Sequence, residues 1–127
     1  FRNAVANAGL RYPTVHDSYL INLAAADDAL WRKSVAAFAH EIAQCERLGA
    51  AYLVTHPGAH VGSGEAAGLK RVTAGLDAAF AEHPDAAVTV LLETTAGQGT
   101  CLGHRFEHLA ELLSACRSPA RLGVCFD

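Results

Sequence analysis

Four short apolar runs are separated along the chain by longer stretches in which apolar residues recur at three- and four-residue steps. Leu10 to Val15, Ala51 to Thr55, Ala86 to Leu92 and Leu122 to Phe126 are the short runs, and each predicts a buried strand. Trp31, Val35, Phe38, Ile42 and Cys45 mark one helical face. Leu69, Val72, Leu76 and Ala79 or Phe80 mark a second, and Phe106, Leu109, Leu113 and Cys116 a third. Arg2 to Ala8 reads as the end of a further helix, stopped by Gly9. Asp27 or Asp28 is expected to cap the first long helix and Gly49 to end it; Ser63 is expected to cap the second. His83-Pro84 and Ser118-Pro119 should close the second and third, because a residue before proline is pushed out of the helical region.

The order is helix, then strand–helix three times, then a strand. Such alternation predicts an α/β fold with a parallel sheet and right-handed crossovers. In a parallel sheet all strand C-termini share one edge. Four residues of metal-ligand type close the four runs there: His16, His56, Glu93 and Asp127, at gaps of 40, 37 and 34 residues. Active sites of (β/α)₈ barrels sit at that edge. Four strands make about half of a TIM (β/α)₈ barrel, or else a small open sheet. The 127 residues are therefore expected to be a single, incomplete barrel segment.

Composition narrows this further. Hydrophobic residues make up 51% of the chain, enough for one core, and no apolar run is long enough to span a membrane. The chain starts at Phe1, contains no Met and stops directly after a strand, so a segment or a processed product is expected. No signal peptide is visible. The four cysteines (Cys45, Cys101, Cys116 and Cys125) form no Cys-x-x-Cys pair and are expected to be reduced, cytoplasmic and mostly core-facing. The net charge of −3 argues mildly against a generic nucleic-acid binder, although clustered metal with a few local cations can hold phosphates in an acidic protein.

His16-Asp17-Ser18-Tyr19-Leu20-Ile21-Asn22-Leu23, His56-Pro57-Gly58-Ala59-His60, Glu93-Thr94-Thr95-Ala96-Gly97-Gln98-Gly99 and Gly123-Val124-Cys125-Phe126-Asp127 together resemble the endonuclease IV (deoxyribonuclease IV) family. Phe106-Glu107-His108-Leu109 also fits. These are zinc-dependent apurinic/apyrimidinic endonucleases of DNA repair with a TIM-barrel fold. The blocks occur in family order and span nearly the whole chain. The resemblance implies that His16 and His56 are zinc ligands, that Glu93 is the catalytic carboxylate bridging two zinc ions, and that Asp127 is a ligand of one of them. It implies that Tyr19 and Leu20 bind DNA by entering the duplex at the lesion, and that the four strands are about the third to sixth of the barrel. The implied reaction hydrolyses the phosphodiester 5′ to an abasic site in double-stranded DNA, by a cytoplasmic protein monomeric at full length. Clustered zinc would supply the nucleophile and neutralise the leaving oxygen. Two departures stand out. Thr94 occupies the place of the family's Asn, and the family's remaining ligands lie beyond Asp127, so a complete three-zinc site is not expected within this chain.

Each residue also has a plainer role open to it. A histidine at a strand end is often a hydrogen-bonded structural one. Glu93 could cap the following turn, Asp127 could be an ordinary strand-end acid, and Tyr19 and Leu20 could pack against the rest of a barrel. Asp17 is expected to orient a ligand histidine or to cap a turn. His60 is not placed among the ligands, and His40, His83, His104 and His108 are assigned to helices. Gly97-Gln98-Gly99 is read as a tight turn over the mouth. The competing functions are a metal-dependent sugar isomerase or epimerase on a related barrel, and an inactive incomplete segment.

Overall fold

The sheet holds four parallel strands in chain order, β1-β2-β3-β4, in a computed structural model that describes residues 1–127. The elements run α1 (Arg2–Asn7), β1 (Thr14–His16), α2 (Asp28–Leu48), β2 (Tyr52–Thr55), α3 (Glu65–Glu82), β3 (Thr89–Glu93), α4 (Phe106–Ala115), a 3₁₀ turn (Pro119–Arg121) and β4 (Leu122–Cys125). The α/β reading and the sequential parallel order thus hold.

Strand register decides which side chains share a face. His16 lies opposite Val54, Val54 opposite Leu91, Leu91 opposite Gly123, and Glu93 opposite Cys125. Side chains alternate along a strand, so His16, Val54, Leu91, Glu93, Gly123 and Cys125 face one way. His56 follows Val54 by two residues and Asp127 follows Cys125 by two, which continues the same face beyond the strand ends. The opposite set, Leu53, Val90, Leu92 and Leu122, packs against the helices in a cluster of 23 buried apolar residues. Phe38, Ile42 and Cys45 of α2 and Leu69, Val72, Leu76 and Ala79 of α3 complete it. Burying each large side chain contributes about 2 kcal/mol, so this layer, not the ligand face, holds the fold together.

Local signals account for most boundaries. Asp27 caps α2 by accepting the Leu30 N–H at 2.8 Å, and Gly49 ends it at φ 71°. His83 closes α3, as the following proline requires. Other boundaries differ from expectation. β1 begins at Thr14, not Leu10, because Tyr12 takes a positive φ of 55° and Pro13 has no N–H to pair. Ser63 does not cap α3; its hydroxyl donates to the His60 carbonyl, and the cap residue Gly64 instead donates its N–H to His60 Nδ1 at 3.1 Å. The buried face of α4 is His108, Leu109 and Leu112, continued by Cys116, with Leu113 half-buried against the core; of the expected face only Phe106 lies off it. Phe106, first in the helix, turns towards the cleft, where its ring lies 6.2 Å from that of Phe126. No helix is long and apolar enough to cross a membrane.

Candidate metal centre

The three loops that follow β1, β2 and β3 are tied together above the sheet edge. Asn22 makes the first tie. Its side-chain oxygen accepts the N–H groups of Ala24 and Ala59, each at 3.0 Å, and its amide donates to the Ala59 carbonyl at 3.0 Å. It thereby pairs with Ala59 as a strand would. The second tie is an antiparallel bridge between Ala59 and Cys101, flanked by Leu102 N–H to Gly58 carbonyl (2.8 Å) and His60 N–H to Thr100 carbonyl (3.0 Å). Asn22 was not singled out from sequence. The one available signal was an amide within the apolar stretch Leu20-Ile21-Asn22-Leu23.

Beneath these loops His16 Nε2 lies 2.9 Å from Glu93 Oε2, and His56 Nε2 lies 3.4 Å from the same oxygen. The donor set suits a divalent cation such as zinc: two imidazole nitrogens and a carboxylate, all ligand atoms within 4.8 Å of one another. The other nitrogen of His16 supports the fit. His16 Nδ1 donates to the Asp17 carbonyl at 3.0 Å, an acceptor only, so Nε2 is the nitrogen left for a metal once it gives up its proton towards Glu93 Oε2. A metal-binding histidine is held in this way by its outer hydrogen bond. The Asp17 carbonyl and the Glu93 carboxylate also raise the His16 pKa above its ordinary value, against the opposing effect of partial burial. Asp127 is exposed and lines the same cleft, but its carboxylate is not in the cluster. Its backbone is clamped by Thr94, whose hydroxyl accepts the Asp127 N–H at 3.1 Å and donates to its carbonyl at 3.2 Å. The residue that departs from the family's Asn thus fixes the end of β4.

The cleft above the cluster encloses about 730 Å³ and is lined by Tyr19, Asn22, Thr95, Gln98, His104 and Phe126, among others. Tyr19 lines it and is 90% exposed, and the next residue, Leu20, is 75% exposed. Ile21 and Leu23 of the same loop are buried. Gly97 and Gly99 take positive φ of 75° and 60°, and the Cys101 N–H bonds to the Gln98 carbonyl, so the Gly-x-Gly segment is a tight turn at the mouth. His104 lies in the loop before α4 and His83 caps α3, so neither sits on a helix proper. All four cysteines are free thiols; Cys45 and Cys116 are buried, Cys101 and Cys125 partly so. Burial pushes the Cys45 thiol up to about 11 and raises Cys116 and Cys125, which disfavours the thiolate a cysteine–metal site needs.

Asp17 is buried beside His16. Its carboxylate accepts the Thr55 hydroxyl at 2.6 Å, and its second oxygen lies 3.5 Å from His16 Nδ1. Burial pushes this carboxyl up from 3.8 to about 6, against the lowering pull of Thr55, His16 and His56. A folded-state pKa above the unfolded one stabilises the fold at low pH. That contribution is complete below about pH 4 and is lost as pH rises through 6. Above pH 6 the ionised group costs the metal-free fold on the order of 2 kcal/mol. A buried anion becomes favourable once a cation occupies the cluster. Asp17→Asn should therefore raise the pH 7 melting temperature of chelator-treated protein and flatten its pH dependence between 4 and 6. It should also weaken zinc binding roughly tenfold. Unchanged pH–stability curves would show that the carboxyl titrates normally.

Parallel βα units with a His-His-Glu ligand set at the C-terminal strand edge define a TIM-barrel-type protein able to hold a metal ion. The chain belongs to the Xylose isomerase-like TIM barrel family, whose profile matches residues 1–127. Among curated proteins it is 54% identical over 127 residues to "Probable endonuclease 4" of Chloroflexus aurantiacus strain J-10-fl, covering 100% of this chain and 45% of that protein. A counterpart of the same name from Citrifermentans bemidjiense is 47% identical with the same coverages. Among solved structures, endonuclease IV from Thermus thermophilus aligns with a TM-score of 0.77 and 37% identity, over 96% of this chain and 41% of that one. A D-tagatose 3-epimerase-like protein aligns at 0.83 with 21% identity, over 99% and 48%, a likeness that shows the fold alone. The endonuclease IV resemblance read from the sequence therefore holds, and the chain spans about 45% of the length of the curated relatives it matches.

Proposed function

We propose that this chain carries part of the active centre of a zinc-dependent apurinic/apyrimidinic endonuclease, contributing about the third to sixth strands of its barrel. The observation that carries the proposal is the convergence of His16 Nε2, His56 Nε2 and Glu93 Oε2 beside a cleft lined by the exposed Tyr19. The likeness to proteins named endonuclease 4 supports it. In this reading His16, His56 and Glu93 hold zinc, and Asp127 joins the ligand set by turning its side chain into the cleft. Bound zinc supplies a nucleophile at neutral pH and neutralises the leaving oxygen. The chain's own residues do the rest. Glu93 would hold the metal together with His16 and His56, its carboxylate supplying the negative charge that offsets a cation. The Asn22 clamp holds His56 against the same point. Tyr19 and Leu20 fill the gap left by a missing base, where unstacking is least costly. The substrate is abasic double-stranded DNA, and the protein acts as a cytoplasmic monomer.

The test incubates the full-length polypeptide with a duplex bearing one abasic site, with and without a chelator. Nicking on the 5′ side, lost on chelation and restored by zinc, is expected. Failure to nick, or nicking indifferent to metal removal, would overturn the reading. Epimerisation of a ketose would assign the fold's other known chemistry instead. Tyr19→Ala with Leu20→Ala should weaken abasic-duplex binding about 10- to 100-fold, since base–aromatic stacking alone contributes about 1–3 kcal/mol. The melting temperature should hardly move, because both side chains are exposed. Equal affinity of variant and native protein would remove these residues from the DNA interface.

A further inference from the structure

A second group of ligand-type residues stands 4.8 Å or less apart at the side of the cleft: Glu65, His104 and His108. Its hydrogen bonds give it a different character from the first. His108, on α4 and 4% exposed, accepts the Gly103 N–H at Nδ1, at 3.2 Å. A neutral imidazole has one N–H, so the proton is on Nε2, which faces Glu65 Oε2 at 3.3 Å. A metal would need a lone pair at that nitrogen. At His16 the outer nitrogen is instead a donor, to the Asp17 carbonyl, which leaves Nε2 free for a metal once its proton towards Glu93 is lost. His104 has its proton on Nδ1, bonded to the Cys101 carbonyl at 2.9 Å, and its ring meets His108 edge-on at 4.8 Å between centroids. Its Nε2 is 3.7 Å from Glu65, too far for a hydrogen bond. Glu65 opens α3, where a negative charge suits the free N–H groups, and Arg105 lies 3.9 Å from it.

What His108 holds is Gly103, and Gly103 touches the ligand-bearing backbone. With φ at 91°, its missing Cβ would stand 3.1 Å from the Glu93 carbonyl oxygen and 3.0 Å from Pro57, the residue after His56. The Gly103 carbonyl also accepts the Thr95 N–H at 3.2 Å. We propose that His108 and Glu65 form a metal-free latch, a pair of positioning residues that pins Gly103 of the loop over the cleft and thereby sets the spacing of His56 and Glu93. The inference rests on reading His16, His56 and Glu93 as the metal centre. No step of the reaction passes through the latch.

Long-range ¹H–¹⁵N NMR of the imidazoles in the full-length polypeptide tests it. His108 should show a bare Nδ1 and a protonated Nε2, unchanged on adding zinc, while His16 and His56 shift. A zinc-induced shift at His108 Nε2 would make the group a second metal site and overturn the latch. Silence at His16 and His56 would sink the metal-centre reading while leaving the His108 tautomer as observed, so the two failures are distinct. Two variants divide the latch. His108→Asn keeps an acceptor near Gly103 and loses reach to Glu65; His108→Gln keeps a donor towards Glu65 and loses the acceptor. Gln should lower Gly103 amide protection at least tenfold and weaken zinc binding roughly tenfold, whereas Asn should retain most of the protection. Native zinc affinity and Gly103 protection in the Gln variant would overturn the positioning role.

Discussion

Replacing Glu93 with Gln is expected to reduce zinc affinity by more than about 100-fold, beyond the roughly 10- to 100-fold cost of losing a residue that only orients a ligand. Gln has nearly the same shape, so packing against the loop is kept. What disappears is the charge and one of two equivalent oxygens. Glu93 Oε2 is the atom on which His16 and His56 converge, at 2.9 and 3.4 Å. Without it two neutral imidazoles face each other, their rings 5.2 Å apart, with nothing to offset a divalent charge. The metal-free fold should not suffer. Glu93 is buried, and removing a buried charge relieves desolvation. Competition against a chromophoric chelator reads the affinity, and thermal melting in chelator reads the fold. A variant that binds zinc like the native protein would show that the metal does not sit on Glu93.

The second large effect is expected at a residue with no reactive group. Gly58→Ala should destabilise the fold by about 3–5 kcal/mol and displace His56. Gly58 has φ at 100°, which costs any other residue about 1–3 kcal/mol. Its new Cβ would stand 2.3 Å from Asn22 Oδ1 and 3.2 Å from the Ala24 nitrogen. Asn22 must then move, and the Ala24 and Ala59 N–H groups lose their acceptor at about 1 kcal/mol or more each. Gly62→Ala is the control. Its φ of 89° is similar, but nothing lies within 4 Å of the added carbon, so it should show the backbone cost alone. Denaturant melts of both variants separate strain from collision. In an Asn22→Ala background the collision term should vanish, and a double-mutant cycle would register it as coupling between residues 22 and 58. Equal losses at positions 58 and 62 would deny Asn22 its role as the clamp.

Much of the candidate cluster was legible because β structure has a period of two and parallel strands end on one edge. Those rules, applied to His16, His56, Glu93 and Asp127, require no knowledge of packing. Side-chain reach does: His16, His56 and Glu93 meet, whereas Asp127 lines the same cleft and stays outside the cluster. The third helix shows a second limit. A three-residue step from Phe106 to Leu109 was as good a pattern as the real face through His108, Leu109 and Leu112. A histidine among the buried positions hid the correct choice, because its burial depends on Gly103 and Glu65, 5 and 43 positions away.

By itself the sequence determined the alternation of strands and helices, the parallel edge, the four ligand-type residues on it and the family resemblance. All are local or periodic properties of the chain. Only the tertiary structure decided that Asn22 clamps the His56 loop, that Thr94 holds Asp127, and that the outer ring nitrogen donates at His16 but accepts at His108. Those outcomes depend on hydrogen bonds between residues 33 to 37 positions apart or on which backbone group faces a ring nitrogen. Neither hydrophobic period nor residue type encodes where an N–H or a carbonyl will point once the loops have closed.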